Sequence, residues 1–255
     1  MTLLAVERIK LFTTRSPWWC ALITLVISIG FGALFTGTSN QIDTISVSGT
    51  EFGHTFAMAV IMVLATLAVT TEYRYNTIKT TFQAVPHRGS ALVAKTTLVA
   101  LVALVIGELA AFGALGISKL MKPGADLALN SAADWTNVAG IGVVFAFAAV
   151  IAVAVGILIR HSAGALSLIL IYSLAVEGLI SIIPTVGPKI HQWLPFNVAE
   201  KFLTGNGASN GVRGADAGPP LSDSPLSPGW ALAYFAGFSL VMLFIAITVA
   251  KKRDA

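Results

Sequence analysis

Six long apolar runs separated by polar segments set the pattern of the chain: Trp18–Phe35, Phe52–Thr70, Ala91–Leu115, Val138–Ile159, Ala163–Ile183 and Trp230–Ala250. At about 1.5 Å per residue, each run is long enough to cross roughly 30 Å of bilayer hydrocarbon as a helix. Trp18, Trp19 and Trp230 stand at run edges, where interfacial indole rings are common. The first run follows a segment bearing Glu7, Arg8, Lys10 and Arg15 and has no clear cleavage site, so a retained span is expected and not a signal sequence. The expected fold is all-α, a polytopic membrane protein with six transmembrane helices forming a single domain over residues 1–255.

The polar segments carry their own signals. Over residues 3–15, Ala5, Val6, Ile9 and Phe12 share one side of a helical wheel and Glu7, Arg8, Lys10 and Arg15 the other. This pattern fits an interfacial helix or a solvated basic anchor. Pro123-Gly124 marks a turn between the third and fourth runs. Only Arg160-His161-Ser162 links the fourth and fifth, which predicts a tight antiparallel hairpin. Residues 188–203 are semi-apolar, too short to span and interrupted by Pro195, and read as a re-entrant or interfacial pair of outer helices. Residues 204–228, rich in Gly, Ser, Asn and Pro, read as a flexible outer loop.

Composition agrees with a bilayer location. The chain is 56% hydrophobic and 11% charged, against about a quarter charged in soluble domains. The formal charge of +4 is less telling than its distribution. With the N-terminus inside, eleven of the sixteen Lys and Arg residues fall on inner segments, which predicts that both termini are cytoplasmic. Such placement argues against nucleic-acid binding. The single cysteine, Cys20, rules out an internal disulfide or a cysteine-based metal cluster and is read as a small apolar residue.

Catalytic chemistry finds little support. No Gly-Lys dipeptide occurs, so the chain has no phosphate-binding loop of the Walker type. His54, His87, His161 and His191 lie near different span ends without metal-ligand spacing, and no Gly-x-Ser-x-Gly elbow is present. No catalytic, cofactor-binding or metal site is expected. Two carboxylates, Glu108 and Glu177, do sit inside apolar runs, where ionisable groups are costly and often functional. Counted from the inner span ends, both fall in the outer half. They form either a gate or translocation-path layer or a hydrogen-bonded lock between helices.

The stretch Thr70–Arg88 concentrates charge between the second and third runs. Ile78, Phe82 and Val85 follow i, i+4, i+7 spacing, Asn76 or Thr77 can cap the start of this helix, and Pro86 ends it. A short amphipathic helix between two spans needs a partner for its apolar face, either the membrane surface or a second protein. Glu72-Tyr73-Arg74, Thr77-Ile78-Lys79 and Pro86 with Arg88 resemble the segment between the second and third spans of type-2 ABC-transporter permeases, the membrane subunits of bacterial drug, lipid and polysaccharide exporters.

The resemblance implies that residues 72–88 form a cytoplasmic coupling segment, with Glu72, Arg74, Ile78, Lys79, Phe82 and Arg88 as the docking interface for an ATPase. It also implies an N-terminal elbow helix at 3–15 and re-entrant outer helices at 188–203. Two separate ATPase subunits would bind ATP and Mg, and a second permease, identical or homologous, would complete the path in a bacterial plasma membrane. The chain itself would be no enzyme. Its cargo is expected to be a hydrophobic or amphipathic small molecule, peptide or lipid. The alternatives are a non-transporting membrane subunit, or a proton-coupled secondary transporter using Glu108 and Glu177.

Overall fold

The computed structural model describes residues 2–39, 41–42, 45–84, 88–205 and 221–253, and among them there is no β-strand. The helices are α1 (Thr2–Thr13), α2 (Ser16–Thr38), α3 (Val47–Thr50), α4 (His54–Arg74), α5 (Thr77–Ala84), α6 (Arg88–Met121), α7 (Ala132–Ile159), α8 (Ser162–Ile171), α9 (Glu177–Ser181), α10 (Gly187–His191), α11 (Pro195–Thr204) and α12 (Pro228–Arg253). A π-helical turn, Tyr172–Val176, joins α8 to α9. Six segments are long and apolar enough to cross a membrane: α2, α4, α6, α7, α8 through α9, and α12. The protein is therefore an all-α polytopic membrane protein.

Helix ends follow local chemistry. Pro17, Pro195 and Pro228 each stand in the first turn of a helix, where the missing N–H costs nothing. Pro195 thus starts α11. Ser131 and Asp134 form a reciprocal capping box that begins α7 six residues before its apolar run. The fifth span is divided into α8, the π-turn and α9, an interruption that the run Ala163–Ile183 does not announce. Of the segment 204–228, residues 206–220 lie outside the described residues, and 221–227 are non-helical.

The core is built around α7, which is buried along most of its length and packs against α4, α6, α11 and α12. Small residues permit close approach. A Cβ added to Gly107 of α6 would lie 2.8 Å from the Cα of Gly142 on α7, so these backbones cross almost in contact. On α2, Cys20, Thr24, Ser28, Gly32 and Thr36 are buried at every fourth position. Ser28 Oγ donates to the Ala110 carbonyl at 3.4 Å and Thr36 Oγ1 to Ser118 Oγ at 2.8 Å. In hydrocarbon such hydroxyl contacts satisfy groups that water cannot reach.

Both chain ends lie on one face. Arg253 Nη1 donates to the Leu158 carbonyl at the end of α7, at 3.5 Å. Lys251 packs over Gly89 at the start of α6, against which α1 also rests. We call this the terminal face; α5 belongs to it, while α3, α10 and α11 lie at the opposite face.

Gly107→Ala is expected to lower the thermal midpoint in detergent, because helix backbones must separate at a cost on the order of 1–3 kcal/mol. Gly30→Ala, where a Cβ meets no atom within 4 Å, is expected to leave the midpoint unchanged or raise it, since glycine inside a helix costs about 1 kcal/mol relative to alanine. Equal effects would contradict the close α6–α7 crossing.

Candidate functional site

On the terminal face, α4 ends in Glu72-Tyr73-Arg74 and the chain turns through Asn76, whose φ of 56° is a left-handed conformation that asparagine tolerates better than most residues. This turn directs α5 away from the span. Ile78 is only 6% exposed and belongs to the apolar core of the bundle. Its expected place on an ATPase interface is therefore corrected: Ile78 anchors α5 to the chain's own body. Among the described residues the exposed side chains here are Arg74, which lies over the Tyr75 ring at 5.6 Å, with Tyr75, Asn76, Thr77, Thr80 and Gln83. The side chains of Lys79, Phe82 and Arg88 lie outside the described residues.

Glu72 also departs from the expected exposed rim. It is buried in a four-residue ion cluster that joins three helices. Lys95 of α6 bonds Glu7 of α1 and also Glu72 Oε1 of α4, the latter at 3.0 Å. Lys10 of α1 reaches Glu7 Oε1 at 3.0 Å and Glu72 Oε1 at 3.3 Å. Burial disfavours the Lys10 charge, but its hydrogen bond to Glu7 and the charges of Glu72 and Glu7 outweigh that and hold its ammonium above the ordinary lysine range. Removing one member of such a group strands a buried charge, which typically costs about 3–5 kcal/mol. The other oxygen of Glu72, Oε2, is buried and has no hydrogen-bond partner among the described residues.

The same arrangement explains the exposure of α1. Glu7 and Leu11 face inward while Val6, Ile9 and Phe12 are exposed. The helix turns Glu7 and Leu11 to the protein and Val6, Ile9 and Phe12 outward, as an interfacial helix does when lipid covers that side. A further contact on this face, Arg160 over the Tyr73 ring at 5.2 Å, joins the end of α4 to the α7–α8 link.

At the opposite face Glu177 acts as a helix lock. Its Oε1 accepts from the Phe196 N–H at 3.2 Å and its Oε2 from the Asn197 N–H at 2.9 Å, capping the start of α11 with a carboxylate. The π-turn Tyr172–Val176 ends at the residue before Glu177. Glu108 has different surroundings. Its side chain lies against Gly142, and among the described residues it makes no hydrogen bond. No hydrogen bond joins Glu108 to Glu177.

A second outer cluster escaped sequence reading. His54 Nδ1 faces the Glu51 carbonyl at 2.8 Å and Nε2 faces Glu200 of α11 at 2.9 Å. Both neighbours are acceptors, so the His54–Glu200 pair holds one proton more than a neutral imidazole and a carboxylate would. Burial pushes the neighbouring Glu51 carboxyl well above its usual range, against the lowering influence of His54 and Thr50. The native state thus binds that proton more firmly than the unfolded chain, and stability from this group falls as pH rises above the ordinary carboxylate range. Neither cluster has a motif; each unites residues distant in sequence. The legible signal was a charge placed near an apolar run, as at Lys95 and His54.

Glu177→Leu is expected to leave the Phe196 and Asn197 amides unpaired, at about 1–3 kcal/mol. Hydrogen exchange over 195–204 should accelerate, and Glu177→Gln should restore part of the protection. Exchange unchanged in Glu177→Leu would contradict the lock.

A family model described as ABC-2 family transporter protein matches residues 3–176, from α1 to the end of the π-turn. No match was found among curated proteins. The family match covers about two thirds of the chain and runs through the first four spans and most of the fifth. This multi-pass membrane protein belongs to the ABC-2 transporter family, as a membrane permease component of an ABC transporter that is not itself catalytic and works with ABC ATPase subunits.

Proposed function

We propose that the chain is the permease of an ATP-driven exporter in a bacterial plasma membrane, with the terminal face in the cytoplasm. The excess of Lys and Arg on the inner segments supports that orientation. Two permeases, identical or homologous, form the path, and two ATPase subunits that bind ATP and Mg dock beneath them. The observation that carries this reading is α5, a short helix fixed to the bundle by Ile78 with Thr80 and Gln83 turned outward.

In this reading Arg74, Thr80, Gln83 and the side chains of Lys79, Phe82 and Arg88 meet the ATPase, while Ile78 and Glu72 hold the docking helix in place. ATP-driven movement of the ATPases displaces α5, and the ion cluster carries that displacement to α1, α4 and α6. The cargo is a hydrophobic or amphipathic small molecule, peptide or lipid, in keeping with the apolar span faces. A proton-coupled mechanism using Glu108 and Glu177 is less well supported, because Glu177 is already engaged by two backbone amides.

Coexpression with an ABC ATPase subunit, followed by purification in detergent, tests the docking reading. Wild type should retain the ATPase and its ATP hydrolysis. A Thr80→Glu, Gln83→Glu double variant should lose at least about tenfold of both, equivalent to about 1.4 kcal/mol of binding, with its own thermal midpoint unchanged. Retention equal to wild type would overturn the assignment of α5.

A further inference from the structure

Charge is divided between the two sides of α1. Inward, Glu7 and Lys10 join Glu72 of α4 and Lys95 of α6, so two carboxylates and two ammoniums neutralise one another. Glu7 and Glu72 are the only acids in α1 and α4, and the cluster occupies both. Outward, Arg8 stands one helical turn from Leu4 and one from Phe12, and all three are exposed. Arg15, just beyond α1 at the start of α2, is exposed as well. Among the described residues neither guanidinium has an ion-pair or hydrogen-bond partner.

Aromatic contacts set the depth of this surface in the bilayer. Trp18 and Trp19 open α2 with both side chains exposed, as indoles at a span end are at headgroup level. Trp18 Nε1 donates to the Phe12 carbonyl at 3.3 Å, and the two rings lie 5.6 Å apart. The end of α1 is thereby held at the level of those indoles. Its outward side presents Leu4, Val6, Ile9 and Phe12, with two cations beside them that lack counter-ions. A partner for this side must be apolar and negatively charged within a few ångströms, and a lipid leaflet of net negative charge is both.

We propose that the outward side of α1 docks on the headgroups of anionic phospholipids, whose phosphodiester is not balanced by a cationic head. Arg8 and Arg15 pair with phosphates, and Leu4, Ile9 and Phe12 enter the acyl boundary. A zwitterionic leaflet accepts the same apolar side chains but balances its own phosphates, so it leaves the two arginines uncompensated. Lipid composition then sets how firmly α1 lies on the bundle, and with it how firmly Glu7 meets Lys95. The contact stands independently of whether α5 meets an ATPase.

Hydrogen exchange of the full-length protein in nanodiscs is the test. One set of discs holds phosphatidylcholine alone, the other an equal mixture with phosphatidylglycerol of the same acyl chains. A basic side chain beside an anionic surface contributes about fivefold to binding, so exchange over residues 2–13 should slow at least about tenfold in the mixed discs. Residues 195–204, at the opposite face, should exchange alike in both. The Arg8→Gln, Arg15→Gln double variant should match wild type in phosphatidylcholine and gain no protection from phosphatidylglycerol. Lys251→Gln, Lys252→Gln removes equal charge from another exposed part of the terminal face and should keep the wild-type response. Soluble glycerophosphate added to phosphatidylcholine discs should protect nothing. Equal exchange of 2–13 in both discs would overturn the proposal. So would protection that extends equally to 195–204, survives in the arginine variant, is lost equally in the lysine variant, or is reproduced by glycerophosphate.

Discussion

A charge taken out of water must find an opposite charge, and that requirement organises the terminal face. Lys95 sits in the second turn of α6 and is 6% exposed, so it is tolerable only because Glu7 and Glu72 meet it from two other helices. Burying such a group seldom raises stability over an apolar alternative, but it makes one relative placement of the helices far better than its neighbours. Here the placement fixed is that of α1 and α4 against α6, which are the elements next to α5 in space or in sequence. A helix such as α5, held at both ends by spans that share a common ionic bolt, is tied to the placement of those spans.

The opposite face follows the same logic with different groups. Backbone amides at the start of α11 have no partner within their own helix, and Glu177 supplies one from the fifth span. The π-turn Tyr172–Val176 lies immediately before Glu177 in that span. His54 then ties α11 to the start of α4 through Glu200. Between the two polar faces, contact is made by small residues and hydroxyls along α2, α6 and α7. A bundle so constructed has rigid polar ends and a closely packed middle, which suits the transfer of a displacement from one face to the other.

Much of this architecture was legible in the residues. Apolar run length alone located six spans, because hydrocarbon thickness leaves little choice. The helix Thr77–Ala84 was readable from its spacing and from the residues flanking it. Which side of that helix faces inward was not, since periodicity gives a face without saying what it meets; Ile78 turned to the bundle itself. Glu72 misled for a related reason, as a charge beside a span end usually faces solvent. The partners that tie Glu72, Glu177 and His54 to other helices lie 19 to 146 positions away, on segments without a motif, and only three-dimensional packing brings them together. The π-turn left no mark in composition because its residues are as apolar as those around it.

The most direct test of the ionic bolt is a double-mutant cycle on Glu7 and Lys95, read as thermal midpoints of Glu7→Gln, Lys95→Met and the double variant in one detergent. If the two side chains act as one buried unit, each single change lowers the midpoint strongly and the double costs little more than either alone. Losses that simply add would show that the two residues stabilise the protein independently, and the account of a clamp between α1 and α6 would fail.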